Sequence, residues 1–405
     1  MKKILKIEAD PPVNYNPGVA QPLSILYSGK IKNPDIYLMD RYVQLYYDNY
    51  LGEMDKPILS FYIPGENYFN LLTMETVEDD DIICDDIVMR ICKEIKNKYY
   101  VQMMLQEYYI PGALFYRTNK RIHQHLIYGF DDKKKIFYIL CHKKNCKYGT
   151  LEVSFEDFLI AYKHREGSPY AYIKLKPNKG IKLKREKDVY LYDTLYDYIN
   201  SKNPFSVGTF EKNVYGLNIY DKLIDYLHSE CLDMRDYQAL LQHKQIMFKR
   251  IKDYLKQSEL AFRYKTVLDL AVRVHFSALK WNITKEDRIL AIIENNLIEM
   301  KKQEKEILLD VYNVMKPSKK KNTKDISNKT NRPYNLETKV RDTLHDTEVW
   351  DILEEYIPNI RNNSQLPLVY GMRLKNIIGK GHYFGVTVEQ EKEFLERIFA
   401  LQPRA

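Results

Sequence analysis

Two apolar runs on either side of a histidine-bearing segment constrain the fold of this chain most strongly. Residues 99–106 are aromatic and aliphatic, and residues 136–141 are apolar again. Between them, Arg121-Ile122-His123-Gln124-His125-Leu126-Ile127-Tyr128-Gly129-Phe130-Asp131 runs into a charged turn over 131–135. Short runs of this kind, bounded by turn residues, predict strand, long loop, strand, tight turn, strand. Side chains two apart share one face of a strand, so His123 and His125 point the same way. A further strand is expected at 150–153. Ser154 with Asp157 forms a capping pair for a helix over Phe155–Lys163, and 170–176 returns as a strand.

The rest of the chain divides by pattern. Residues 1–215 read as mixed α and β, opening on a proline-rich lead (Pro11, Pro12, Pro17, Pro22). A helix or mixed segment is expected at 36–50. A helix at 84–98 follows, with the acidic cluster 78–81 placed where a helix dipole favours negative charge. Four segments, 217–230, 234–257, 259–281 and 285–314, carry apolar residues at helical spacing. Asp233 and Thr284 stand at N-cap positions, the latter with Asp287 three residues on. Long helices joined by short turns imply an antiparallel four-helix bundle over 216–315. Residues 316–333 hold six lysines and one arginine and read as a basic linker, either a solvated tether or a nucleic-acid contact. Residues 334–405 read as a small helical module whose last helix starts at a capping box, Thr387 to Gln390. The expected class is α+β: an antiparallel-sheet domain, a helical bundle and a small C-terminal helical module.

Charge narrows the partners. The net charge is +8, but residues 97–215 alone hold 21 basic and 12 acidic side chains, whereas 1–96 hold 10 and 16. The segment with the histidines is therefore the basic one, which favours an anionic partner. Nucleic-acid binding rests on this charge alone, and the acidic first segment argues against it. No apolar run approaches the ~18 residues of a membrane span, and no long apolar stretch follows Met1-Lys2-Lys3, so no membrane and no secretory signal are expected. Five irregularly spaced cysteines suggest free thiols and a cytoplasmic location. Tyrosine is abundant, at 35 copies against 2 tryptophans, which reflects either coding bias or a groove lined with rings that are apolar in body and polar at the tip.

Residues 99–176, with Glu107-Tyr108-Tyr109-Ile110-Pro111-Gly112 and His125-Leu126-Ile127-Tyr128-Gly129-Phe130-Asp131, resemble the N-terminal domain family of butirosin biosynthesis protein H. That family is similar in turn to the bacteriocin-processing cysteine peptidases, which share the papain-like fold. Asp233, Arg235, His243 and Lys244 match the Asp-x-Arg and His-Lys positions of its helical half. The likeness is good over 97–176, loose over 20–96 and 216–315, and absent after about 316. It implies a papain-like first domain and a role in natural-product biosynthesis. The activity implied is transfer or release of an acyl or peptidyl chain held on a carrier protein, whose phosphopantetheine arm would come with the partner. No cofactor of the chain's own is expected. His125 stands where the general base belongs.

Two parts of the implied machinery depart from the pattern. An Asp or Asn expected about sixteen residues after the histidine is replaced by Cys141, with His142 beside it. Residues 1–83 hold no cysteine, and Ser24 is the one hydroxyl beside the expected nucleophile position, where N-cap or turn duty is the competing role. Cys84 comes too late, within the helix at 84–98. Direct attack by an amine on the carrier's own thioester would remove the need for an enzyme nucleophile. Glu107 either faces the groove with His125 or caps a surface turn. Tyr108, Tyr109, His123 and Tyr128 are candidate binding residues, as are Arg235 and His243 on the bundle. His243, Met247 and Arg250 share a helical face, read as packing with a surface ion pair or as a site. Cys141, His142 and Cys146 cluster, but Lys143, Lys144 and Lys147 would repel a cation, so no metal is expected. The competing reading is a catalytically inactive papain-like module that docks a carrier protein or peptide.

Overall fold

A computed structural model describes residues 1–48, 58–63, 71–77, 86–165, 171–178, 180–181, 183, 189–202, 213–315, 332–338, 340–344, 346–358, 360, 373–377 and 385–402. The chain is mixed α+β with antiparallel sheets. Its strands in order are β1 (Lys2–Ile4), β2 (Gln44–Asp48), β3 (Ile58–Tyr62), β4 (Leu72–Val77), β5 (Tyr100–Gln106), β6 (Ile122–Asp131), β7 (Ile136–His142), β8 (Tyr148–Ser154), β9 (Tyr172–Pro177) and β10 (Val214–Tyr215). The helices that matter here are α1 (Pro17–Leu26), α2 (Pro34–Arg41), α3 (Ile87–Lys96), α4 (Phe155–Lys163), α5 (Val189–Ile199), α6 (Ile219–Asp225), α7 (Met234–Lys249), α8 (Ser258–Thr284) and α9 (Asp287–Met315).

Two compact units result: Met1–Tyr37 with Tyr68–Arg185, and Leu38–Asn67 with Glu186–Ala405. The first unit is built on a sheet ordered β4-β9-β5-β6-β7-β8, with β1 added along the outer end of β6. The β5, β6, β7 meander and the Ser154 cap of α4 follow the sequence pattern; Ser154 accepts the Asp157 N–H at 3.0 Å. Gly129 is required by the approach of β1, because a Cβ there would stand 3.0 Å from Lys3 O and 3.1 Å from Ile4 Cα.

Register decides which helix sees which side chain. His125 pairs with Met103 and His123 with Leu105, so these four share one face; Gln102 pairs with Leu126 on the other. Helix α1 covers the Gln102 face, since Gln102 Nε2 donates to Gln21 Oε1 at 2.7 Å and Gln21 Nε2 donates to Gln124 O at 3.0 Å. Helices α3 and α4 cover the histidine face. Tyr172 reaches Glu94 of α3, and Phe137 packs on Phe158 of α4 with ring centroids 4.9 Å apart.

The second unit differs from the expected partition, in which 1–215 formed one domain. The small sheet β10-β2-β3 belongs with the helices, because β3 is tied to the first turn of α7: Asp236 accepts the Leu59 N–H at 2.8 Å and the Tyr47 hydroxyl at 3.1 Å. The 36–50 segment resolves into α2 followed by β2. Residues 217–230 form short α6 flanked by 3₁₀ turns rather than a long helix. Gly216 (φ +58°) starts that break where a Cβ would meet Tyr198 O at 2.2 Å. Residues 234–257 split into α7 and a π-helical turn, Arg250–Tyr254. Three long helices, α7, α8 and α9, therefore replace the expected four, with α5 and α6 packed on α9.

Thr284 closes α8 instead of capping α9. Lys285 takes the left-handed conformation (φ +56°) and donates its N–H to Trp281 O, so the turn ends the first helix. The Asp233 cap and the Thr387–Gln390 capping box form as expected. Of the 316–333 linker, Arg332 and Pro333 are described. Arg332 is buried against Asp346, the N-cap of helix Thr347–Tyr356, so this end is anchored rather than a solvated tether. The acidic cluster at 78–81 and Cys84 lie outside the described residues.

Candidate functional site

Glu107 stands where β5 ends. Its N–H bonds Arg121 O at 2.9 Å, which brings the end of β5 beside the start of β6 and sets the carboxylate among the histidines of β6. The carboxylate is 1% exposed. Oε2 lies 3.2 Å from His123 Nδ1 and accepts the Phe115 N–H at 3.3 Å; Oε1 lies 3.5 Å from His125 Nε2. Burial pushes this carboxyl up, but the His123 hydrogen bond, the two histidine charges and the Phe115 N–H together hold it below the usual glutamate value. Glu107 is thus an ionised, buried acceptor at neutral pH.

The two histidines have different fates. His125 is fully buried, and its Nδ1 lies 2.9 Å from His123 O. A carbonyl only accepts, so Nδ1 carries a proton, while Nε2 lies 3.5 Å from Glu107 Oε1. Nε2 makes no hydrogen bond. Burial drives the imidazole below the ordinary histidine range, against the opposing pull of Glu107. With Nδ1 on the backbone and the ring fully buried, His125 presents no exposed nitrogen.

His123 reaches solvent. Its side chain is 31% exposed, its ring meets Phe115 edge-on at 5.2 Å, and Nδ1 is held by Glu107. A carboxylate on Nδ1 fixes the Nδ1–H tautomer and leaves Nε2 as the acceptor nitrogen. Glu107 and His123 therefore form a carboxylate–imidazole dyad where β5 ends and β6 begins, at one end of the sheet. The signal for it was present in the His-x-His alternation, but spacing alone cannot say which of two histidines on one face reaches solvent.

Ser24 is not brought to either histidine. It lies on α1, on the opposite face of the sheet, fully buried beside the Tyr148 hydroxyl. A covalent Ser24 route with His125 as its base is excluded by the thickness of the sheet between them. Cys141 is where the sequence count placed it: Leu126 pairs with Leu140, so the next position along β7 stands beside His125 on the same face. Burial and Glu107 push its thiol far up, leaving it a neutral packing group that cannot replace a carboxylate.

Tyr108 and Tyr109 are half-buried on the 3₁₀ turn after Glu107, with rings 5.1 Å apart. Arg117 lies over Tyr108 at 5.4 Å, and Tyr109 packs on His164 at 4.6 Å. Tyr128 is buried against Tyr138 further along β6 and does not join the cluster.

Arg235 and His243 belong to the second unit and to its architecture. Arg235 forks onto the N-cap carboxylate of Asp233. His243 sits between Val43 O, at 2.7 Å from Nε2, and Lys244 Nζ, at 3.1 Å from Nδ1. Burial and the Lys244 charge lower its pKa well below the usual value. Arg250, read as a surface ion-pair residue, is instead fully buried and donates to Met39 O, Tyr42 O and Leu38 O at the end of α2.

Sequence reasoning missed the centre of this network. Glu304 is fully buried and accepts from Lys244 Nζ (2.7 Å and 2.9 Å) and from the hydroxyls of Tyr198, Tyr220 and Tyr264. Its signal was an acid inside the apolar stripe Leu297, Met300, Glu304, Leu308 of α9. Every polar partner here is internal, so the network is a closed polar core rather than a site.

Among the described residues no group of three or more His, Cys, Asp or Glu side chains could hold a metal ion, and no helix is long and apolar enough to cross a membrane. No family model matches the chain, and no curated protein matches it.

Proposed function

We propose that the first unit catalyses acyl transfer from a carrier-borne thioester to an amine or water, with His123 as general base and Glu107 as the carboxylate that orients it. The observation that carries this reading is the Glu107 Oε2–His123 Nδ1 contact at 3.2 Å on a half-exposed ring. In the step it supports, the acceptor nitrogen attacks the thioester carbonyl while His123 Nε2 takes its proton. The tetrahedral intermediate then collapses, the C–S bond breaks, and the departing sulfur receives that proton from the imidazolium, which buried Glu107 stabilises. No enzyme nucleophile is needed, which agrees with Ser24 lying across the sheet. A papain-like ancestry is supported by the His125–Cys141 strand register, while α1 covering the opposite face departs from that plan.

A second reading, a non-catalytic module that docks a carrier protein or peptide, is favoured by one observation. The residues that the resemblance would make catalytic, His125 and Ser24, are both sealed in the core. Intact-mass measurement of an aminoacyl carrier protein with a simple amine separates the two. Loss of the acyl group with the wild type, reduced about 10²-fold or more in both His123→Gln and Glu107→Gln, is the catalytic outcome. Equal background loss in all three proteins leaves the docking reading.

A further inference from the structure

The two loops that border His123 are basic without interruption. Between Tyr108 and Phe130, and again between Ile136 and Leu151, the chain has no acidic residue. The loops are joined at one end of the sheet. Ala113 bridges Lys143, the Leu114 N–H donates to His142 O at 3.0 Å, and the Lys144 N–H donates to Gly112 O at 2.9 Å. This gathers Arg117, Lys120, Arg121, Lys143, Lys144 and Lys147 around the mouth of the Glu107–His123 dyad. All but half-buried Lys143 are exposed.

The arginines are held in place by rings. Arg117 is bracketed by Tyr108 at 5.4 Å and Tyr116 at 5.5 Å, and its backbone is in the left-handed region (φ +56°). Arg121 lies over Phe115 at 5.6 Å. The Tyr116 and Tyr108 side chains also hydrogen-bond the Arg117 guanidinium and raise its pKa, so its charge is fixed at an exposed position on the loop, where it favours carboxylate. Tyr108, Tyr116 and Phe115 each already have a guanidinium over the ring, so the aromatic residues here serve the arginines rather than a base stack.

We propose that this end of the sheet docks a partner protein through a cluster of surface carboxylates. It deepens the proposed function by naming what presents the acyl group, and it rests on that reading only for the link to turnover. Binding itself is read without turnover, so either statement can fail alone.

The test is fluorescence anisotropy of full-length protein with a labelled oligoglutamate peptide, and separately with labelled oligo(dT). Arg117→Ala/Arg121→Ala and Lys144→Glu/Lys147→Glu are the loop variants. Lys133→Glu/Lys134→Glu is the control, since that exposed turn lies at the opposite end of β6; its charge change equals that of Lys144→Glu/Lys147→Glu and exceeds that of Arg117→Ala/Arg121→Ala. The expected result is peptide binding that weakens with salt, is reduced about tenfold or more in both loop variants, and changes under threefold in the control. Equal loss in the control would reduce the effect to net charge and overturn the proposal. Tighter binding of oligo(dT) than of the peptide would assign the face to nucleic acid instead, and no binding of the peptide would remove the surface altogether.

Discussion

Glu107 divides one buried carboxylate between two histidines of the same strand, with Oε2 3.2 Å from His123 Nδ1 and Oε1 3.5 Å from His125 Nε2. The sharing is unequal in consequence. His125 is held through Nδ1 alone and is fully buried, whereas His123 meets Glu107 through Nδ1 and keeps 31% of its side chain exposed.

The two histidines therefore separate under mutation. His123→Gln lowers the rate of thioester loss by about 10²-fold or more, the scale of a lost general base, with little change in stability. His125→Gln leaves that rate within about fivefold and destabilises the fold by roughly 1–3 kcal/mol through a disturbed buried hydrogen bond. Single-turnover rates alongside urea melts distinguish the two patterns.

Ser24→Ala is silent in catalysis, with a rate within about twofold of wild type. Its buried hydroxyl stands beside that of Tyr148 without a well-formed hydrogen bond, so its removal changes stability by about 1 kcal/mol or less in either direction. A large rate loss would restore Ser24 as a nucleophile and contradict its placement on the far face.

Asp236 makes stability depend on pH. Burial, with Asp233 nearby, pushes its carboxyl up to about 7, against the stabilising Leu59 N–H and Tyr47 hydroxyl. A carboxyl with a raised folded-state pKa is protonated more readily in the folded chain. Its contribution is therefore fully present below the ordinary aspartate value of about 4 and is lost as pH rises towards 7. The loss is on the order of 4 kcal/mol. About 2–3 kcal/mol of it falls between pH 5 and pH 8, which urea melts at those two values measure, and Asp236→Asn, which keeps an acceptor for Leu59, flattens that difference.

Lys244 and Glu304 are worth more as a pair than apart. Lys244→Met leaves an uncompensated carboxylate in the core and costs about 3–5 kcal/mol, whereas Lys244→Met with Glu304→Leu recovers much of it. A double-mutant cycle by chemical denaturation reads the coupling directly. Additive losses would mean that the three tyrosines, not the lysine, hold Glu304.

The meander was legible because its signals are local: alternating runs, a charged turn and a Ser154 cap specify strands and helix without help from distant residues. The Cys141 position was less legible: the tight turn alone would set His142 opposite His125, and a bulge between Ile127 and Gly129 shifts the β6–β7 register by one residue. The choice between His123 and His125 was not legible. It depends on where the loop from Glu107 to Arg121 closes, a contact between backbone groups that carries no pattern in the side chains. The face covered by α1 depends likewise on one pair of glutamines, Gln21 and Gln102. The Glu304 network was half legible, as an acid in an apolar stripe, but its partners come from α5, α6, α7 and α8, and only packing joins them.

Imidazole rescue tests the central claim most directly. In His123→Ala the missing ring was half-exposed beside an intact Glu107, so added imidazole should occupy its place and restore thioester loss in a saturable manner, while His125→Ala should show no such response. Rescue of His125→Ala alone, or of neither with both variants as active as wild type, would contradict the assignment of His123 as the base.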